Sequence, residues 1–242
     1  MKDYFEYPLN KEIIQQIEKY YENTELQQHD RADIAKTRIK LDRIMELTTI
    51  NRDSIVLDVG CSNGNLLKLL SNRIKKGVGI DISKNMIESN NALQTFPKNI
   101  SFKHFDGRKY STKTKFDIIF LIDSLEHALE PDLLISNLKS NLKKDGRMII
   151  EVPFTGWLSE LVGGKYHAGH LRYYDPIYLR KKMESLGFNV KRIRTYNSVP
   201  FSSFFAKNKL LWGALDFIIN KIPSKIYPYY GEIIIELELD SK

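Results

Sequence analysis

The sequence predicts an α/β fold built on a doubly wound, mostly parallel sheet. Two observations carry that expectation. After Asn51, short runs such as SIVLDV, FDIIFLI and GRMIIEVP are apolar throughout instead of alternating, as strands covered on both faces are. Amphipathic segments separate them, the signature of helical crossovers between parallel strands.

Before Asn51 the chain reads as helices. NKEIIQQIEKYYEN places Ile13, Ile17, Tyr20 and Tyr21 on one face, and DRADIAKTRIKLDRIMELT repeats Ile34, Leu41, Ile44 and Met45 at similar spacing. Residues 1–50 are therefore expected to form an N-terminal helical cap on a main domain spanning 51–242. In that domain SIVLDV, GVGID, NISFKHF, FDIIFLI and GRMIIEVP read as strands. GNLLKLLSNRI, SKNMIESNNALQ and PDLLISNLKSNLKK read as the helices between them, the last opened by Pro131 at a favourable first-turn position. Past Pro153 a long polar and aromatic loop, FTGWLSELVGGKYHAGHLRYY, is a lid candidate, because loops of that length in compact domains are usually functional or flexible. DPIYLRKKMESLG then reads as a helix and FNVKRIRTY as a strand. An aromatic insertion at 200–230 comes before a last strand, GEIIIELEL.

Composition narrows the class. With 242 residues, 42% hydrophobic and 28% charged, the chain can bury a sizeable core. Its one cysteine, Cys61, excludes an internal disulfide and a multi-cysteine zinc site. MKDYFEYPLN lacks the basic and apolar regions of a secretory signal, and LLWGALDFIINKI is too short to span a bilayer, so a cytoplasmic protein is expected. The net charge of +7 is concentrated between Arg172 and Arg194, where seven basic residues face only Asp175 and Glu184. Such a face is more often solvated surface than a nucleic-acid site, and nucleic acid is disfavoured as a partner.

In VLDVGCSNGN, Gly60 and Gly64 let the chain turn tightly after the first strand and let its backbone approach a ligand. The alternative is plain punctuation, with Ser62 or Asn63 capping the next helix. Asp81 favours the ligand. It ends the second strand about 20 residues after the turn, where a carboxylate can accept from ribose hydroxyls. Asp106 closes the third strand, so Asp58, Asp81 and Asp106 lie at three successive strand ends and outline an adenosine site. The turn lacks the G-x-G-x-x-G spacing of a dinucleotide site, and no G-x-x-x-x-G-K-[ST] loop is present, so a ligand without phosphate is expected.

In VLDVGCSNG, GVGIDIS, FKHFDGR, FDIIFLIDSLEHALEP, LKKDGRMIIEVP and HLRYYDPIYLRKKMESLGFNV, taken in order, the chain resembles the class I S-adenosylmethionine-dependent methyltransferases over about residues 51–238. The resemblance implies their Rossmann-like seven-stranded sheet with an antiparallel last strand, and S-adenosyl-L-methionine as cofactor. It implies that Asp58, Gly60, Cys61, Ser62 and Gly64 surround the methionine part. Asp81 would hold the ribose hydroxyls with Ile82 against the adenine, Met86 would also bind the cofactor, and Asp106 and Gly107 would meet the adenine edge. Asp123 would complete the cofactor site. Cys61 and Asn63 depart from a fixed pattern at positions where family members vary, and a buried small thiol is expected to be inert.

Methyl transfer from a sulfonium needs alignment and the removal of one proton. Glu126, His127 and His170 are the candidate catalytic residues: His127 as base toward a hydroxyl acceptor, and His170 facing the substrate, preferred over His167. Arg172 is a candidate to grip an anionic group of the acceptor. Asp123-x-x-Glu126-His127 looks like the acid-x-x-Glu-His pattern of ubiquinone-pathway O-methyltransferases and small-RNA 2′-O-methyltransferases, some of which bind a divalent metal. With Asp in the first position a metal is not favoured here. The expected activity is O-methylation of a small molecule such as a sugar, polyketide, quinone precursor or lipid-linked intermediate. The alternatives are an RNA or protein methyltransferase and a non-catalytic module. A peripheral membrane contact through Trp212, Phe217 and nearby lysines is a secondary expectation, and oligomeric state stays open.

Overall fold

The computed structural model describes residues 4–6, 14, 15, 19, 31–93, 95–154, 170–197, 218–221 and 231–240. The chain opens with β1 (Tyr4–Glu6) and α1 (Arg31–Leu47). Alternation follows: β2 (Ile55–Val59), α2 (Asn65–Leu70), β3 (Lys76–Asp81), α3 (Lys84–Ala92), β4 (Ile100–His104), β5 (Phe116–Ile122), α4 (Pro131–Lys139) and β6 (Leu142–Phe154). β7 (Arg172–Tyr174), α5 (Pro176–Ser185), β8 (Phe188–Asn197) and β9 (Gly231–Leu239) complete it. The seven expected strands form one sheet in the order β4-β3-β2-β5-β6-β9-β8. β2 pairs in parallel with β3 and β5, whereas β9 runs antiparallel to both β6 and β8. The expected α/β architecture with an antiparallel last strand is the observed one.

Strand periodicity divides the core in two. Leu57, Ile119, Leu121, Met148 and Ile150 face α4 and α5, which contribute Leu134, Ile135, Leu138, Leu179 and Met183. Val56, Ile118, Phe120 and Ile149 face the other way, toward Leu41, Ile44 and Leu47 of α1, Leu66, Leu67 and Leu70 of α2 and Ile87 of α3. Alternate side chains of each strand thus enter opposite layers, which is why the runs read as apolar throughout. α1 belongs to this second layer. Most of the expected helix NKEIIQQIEKYYEN, of the lid candidate and of the 200–230 insertion lies outside the described residues. Among those described, no helix is long and apolar enough to cross a membrane.

Three local findings differ from expectation. α4 stops at Lys139, and the LKK that continued its pattern begins β6, because the Asn141 amide donates to Tyr110 O and Asn137 O and Leu142 turns into the core beside Phe116. Neither Ser62 nor Asn63 caps α2: its N-cap is Gly64, at φ 72°, with no side-chain cap. Within the expected lid sequence, β7 pairs with β1 in a separate two-stranded sheet.

Gly64 is constrained twice, because an added Cβ would lie 2.5 Å from Phe102 Cζ as well as requiring a left-handed backbone. Gly64→Ala should lower unfolding stability by about 2–3 kcal/mol in urea titrations with an unchanged m-value.

Candidate functional site

The parallel strands β2, β3, β4 and β5 deliver their carboxyl ends to one edge of the sheet, where loop backbone leaves the ladder and its polar groups need new partners. At the end of β2, Gly60 takes φ 75° and its N–H donates to Ile80 O at 2.9 Å; the Cys61 N–H shares that acceptor at 3.1 Å. A Cβ on Gly60 would come within 3.0 Å of Ser124 Cβ. Asp81 then locks the turn: its Oδ2 accepts from the Ser62 N–H at 2.9 Å and its Oδ1 from the Ser83 N–H at 2.8 Å. Ser62 is held at φ 45°, and its carbonyl accepts from Asn90 Nδ2 at 2.6 Å.

Around this turn lies a cavity of about 320 Å³, within the usual range for a small-molecule site. Of the eleven residues expected to bind cofactor, it brings together Gly60, Ser62, Asp81, Ile82, Met86, Asp106, Gly107 and Asp123. His127 of the candidate catalytic set lines it as well. Asp58, Cys61 and Gly64 do not line it. Asp58 sits one residue inside β2, not at its end, and is buried; burial and the neighbouring Asp81 charge push its carboxyl up to about 7. Cys61 is turned beneath the loop against Gly79, and burial raises its thiol well above the ordinary value, the environment of an inert cysteine. Asp81 is also raised, by burial acting against the two backbone N–H groups.

Two basic residues around the site were not anticipated. Arg108 lines the wall beyond β4, and Nε reaches Asp106 Oδ1 and Oδ2 at 3.1 and 3.0 Å, while Nη1 reaches Glu130 Oε2 at 2.8 Å. Burial works to raise the Asp106 carboxyl, but the hydrogen bonds and charge of Arg108 hold it below its ordinary value. On the β5 side, Lys40 of α1 places Nζ 2.6 Å from both Asp123 Oδ2 and Glu151 Oε1. Burial opposes the Lys40 charge, yet Glu151, Asp123 and Glu232 together keep its pKa well above the ordinary one. Asp123 itself is strained at φ 48°.

Beyond Asp123, a short 3-10 turn, Leu125–His127, carries the candidate catalytic residues. Glu126 is fully buried, and among the described residues neither carboxylate oxygen has a hydrogen-bond partner. Burial, followed by the Asp123 charge, raises its carboxyl well above the usual range. His127 Nε2 and His170 Nε2 lie 3.8 and 3.9 Å from Glu126 Oε1, and the two rings meet edge to face at 4.8 Å. One donor atom from each of these three residues falls within 4.8 Å of the others, so they could also hold a metal ion. His167 lies outside the described residues. Arg172 is not placed as expected: it is 2% exposed, and its guanidinium donates to Ala128 O and Leu129 O.

The pattern of a known family, described as a methyltransferase domain, matches residues 27–193. The ubiquinone biosynthesis O-methyltransferase of Coxiella burnetii is 30% identical over 116 residues, covering 46% of this chain and 50% of that protein. The chain thus spans half the length of that relative. The enzyme of the same description from Glaesserella parasuis is 26% identical over 172 residues, covering 64% and 73%. Among solved structures, magnesium protoporphyrin IX methyltransferase from Synechocystis, with bound S-adenosylhomocysteine, superposes with a TM-score of 0.60 at 17% identity. The match covers 93% of this chain and 99% of that one.

The elevated Asp58 carboxyl has a consequence for stability. Between about pH 4 and 7 the unfolded chain has released this proton while the folded chain retains it, so folding stability falls as pH rises through that window. Asp58→Asn should remove roughly 3–4 kcal/mol of that decline, measured as urea midpoints at pH 4 and pH 8.

Proposed function

The chain belongs to the family of methyltransferase domains, and from that premise we propose that it is an S-adenosylmethionine-dependent enzyme that methylates an oxygen of a small-molecule acceptor. One observation carries the proposal. A single cavity runs past Asp81 and Asp106, at the ends of β3 and β4, to Asp123 and His127 beyond β5. Groups suited to a nucleoside and a group suited to removing a proton share one enclosure. The O-methyl assignment is supported by the ubiquinone-pathway relatives and by the imidazole at the cavity wall.

The residues present fit the cofactor. Asp81 is a partly desolvated carboxylate that lines the cavity and would accept from ribose hydroxyls. Gly60, tight against Ser124, would leave main chain where a side chain would otherwise stand, beside the methionine part. Ile82 and Met86 supply apolar wall, Asp106 and Gly107 the base end, and Asp123 the end nearest the chemistry. When bound, the cofactor supplies an electrophilic methyl on a sulfonium with a neutral leaving group. The chain has then to exclude water, hold an acceptor hydroxyl in line and take up its proton. His127 would accept that proton at a ring nitrogen. Glu126 lies behind it, 3.8 Å from its Nε2, and His170 packs edge to face beside it, so that both would limit how the ring turns.

The same carboxylate and two imidazoles are reasonable ligands for a divalent ion, and the bare buried oxygens of Glu126 would suit one. We favour the metal-free relay. Activity should then survive exhaustive chelation, and its loss with recovery on adding magnesium or zinc would replace the relay with the ion.

Calorimetry with S-adenosylhomocysteine should show one-to-one binding that Asp81→Ala weakens by about 10- to 100-fold, the cost of losing hydrogen bonds to a charged group. Unchanged affinity would remove Asp81 from the cofactor site. With labelled cofactor and pools of small hydroxylated acceptors, His127→Ala should lower turnover by about 10²- to 10⁴-fold. Label appearing in RNA alone would reject the small-molecule acceptor.

A further inference from the structure

Resting on the reading of the cavity as an S-adenosylmethionine site, we propose that Arg108 recognises the adenine base through the flat face of its guanidinium. Asp106 and Glu130 serve as positioning residues that fix that face. Arg108 lies in the 3-10 turn Gly107–Lys109 just past β4, and its side chain lines the cavity beside Phe105, Gly107 and Leu134. The hydrogen bonds of a guanidinium lie in its own plane. Here Asp106 takes the Nε edge at 3.0 and 3.1 Å, with Nη2 2.8 Å from Oδ2, and Glu130 takes Nη1 at 2.8 Å. Asp106 Oδ1 also accepts the Arg108 N–H at 2.9 Å, which fixes the root of the side chain. With carboxylates on two edges, the faces are the surface best suited to a ligand, and a guanidinium face stacks on aromatic rings.

Charge supports a neutral base as the partner. The guanidinium charge is already met by Asp106 and Glu130, so it needs no anionic group from the ligand. Asp106 therefore contributes to base recognition mainly through Arg108. Glu130, the residue before α4, holds the far edge of the same group. Lysine at this position would retain the positive charge and could pair with either acid, but it has no plane to stack.

The test uses the full-length protein and two ligands that differ only in the base: S-adenosylhomocysteine and S-ribosylhomocysteine, each followed by calorimetry, directly or in competition. Arg108→Lys and Arg108→Gln should weaken S-adenosylhomocysteine by about 3- to 30-fold, the range for a cation over an aromatic ring, and change S-ribosylhomocysteine less than about twofold. Glu130→Gln should give a smaller loss with the same selectivity. Equal weakening of both ligands would show that Arg108 merely shapes the cavity, and full retention in Arg108→Lys would show that charge alone suffices; either overturns the proposal. Thermal melts of each variant confirm that affinity is compared between folded proteins. Failure of the unaltered protein to bind S-adenosylhomocysteine would overturn the cofactor reading itself, which is a separate outcome.

Discussion

The arrangement at the carboxyl edge of the sheet depends on one side chain, Asp81. Its two oxygens accept the Ser62 and Ser83 N–H groups, so it stitches the turn after β2 to the turn after β3. A carboxylate is suited to this because it offers several acceptor sites without a proton of its own. The stitch keeps Ser62 at positive φ and Gly60 close to Ser124, and Ser124 Oγ in turn donates to Val59 O at 2.8 Å. Three loops are thereby held in one arrangement by hydrogen bonds of the chain itself, the kind of preorganisation that lowers the cost of binding.

The opposite side of the site depends on charge buried between layers. Glu151 on β6 has no solvent exposure, and burial raises its carboxyl well above the ordinary value against the pull of the Lys40 ammonium that reaches it from α1. Asp123 shares the same ammonium, and Glu232 on β9 is tied to Arg43 at 2.5 Å. The first helix therefore sets the electrostatic environment of the loop after β5. In this sense α1 is part of the site as much as part of the core.

The sheet and the glycine turn could be read from sequence because their signals are local. Strands apolar on both faces show as continuous runs, Gly60 and Gly64 mark left-handed backbone, and Asp81 stands at a fixed offset from the turn. What escaped the reading is long-range pairing. Lys40 is 83 residues from Asp123 and 111 from Glu151, and nothing in KTRIKLDRI marks Lys40 rather than Lys36 as the lysine that reaches them. Arg172, within a basic run, looks like a solvated charge with a free head, whereas the fold buries it against two carbonyls. The chain between 139 and 142 suits a helix by periodicity, and the need to enter the ladder beside β5 overrides that preference. The role of Arg108 required both Asp106 and Glu130 to be seen at once.

The strand order has a further consequence for how the molecule is made. β9 lies between β6 and β8, although it follows both in the chain. While a ribosome is still producing the residues after β8, β6 can pair with β5 but its other edge is open, and Met148, Ile149 and Ile150 sit on that edge. Such an unpaired apolar edge is a template for association between nascent chains. The residues around the ligand cavity can be assembled early, but protection from aggregation arrives only with the strand after residue 230. Conditions that slow synthesis or shorten this stretch should therefore reduce the yield of soluble protein before they affect the geometry of the cavity.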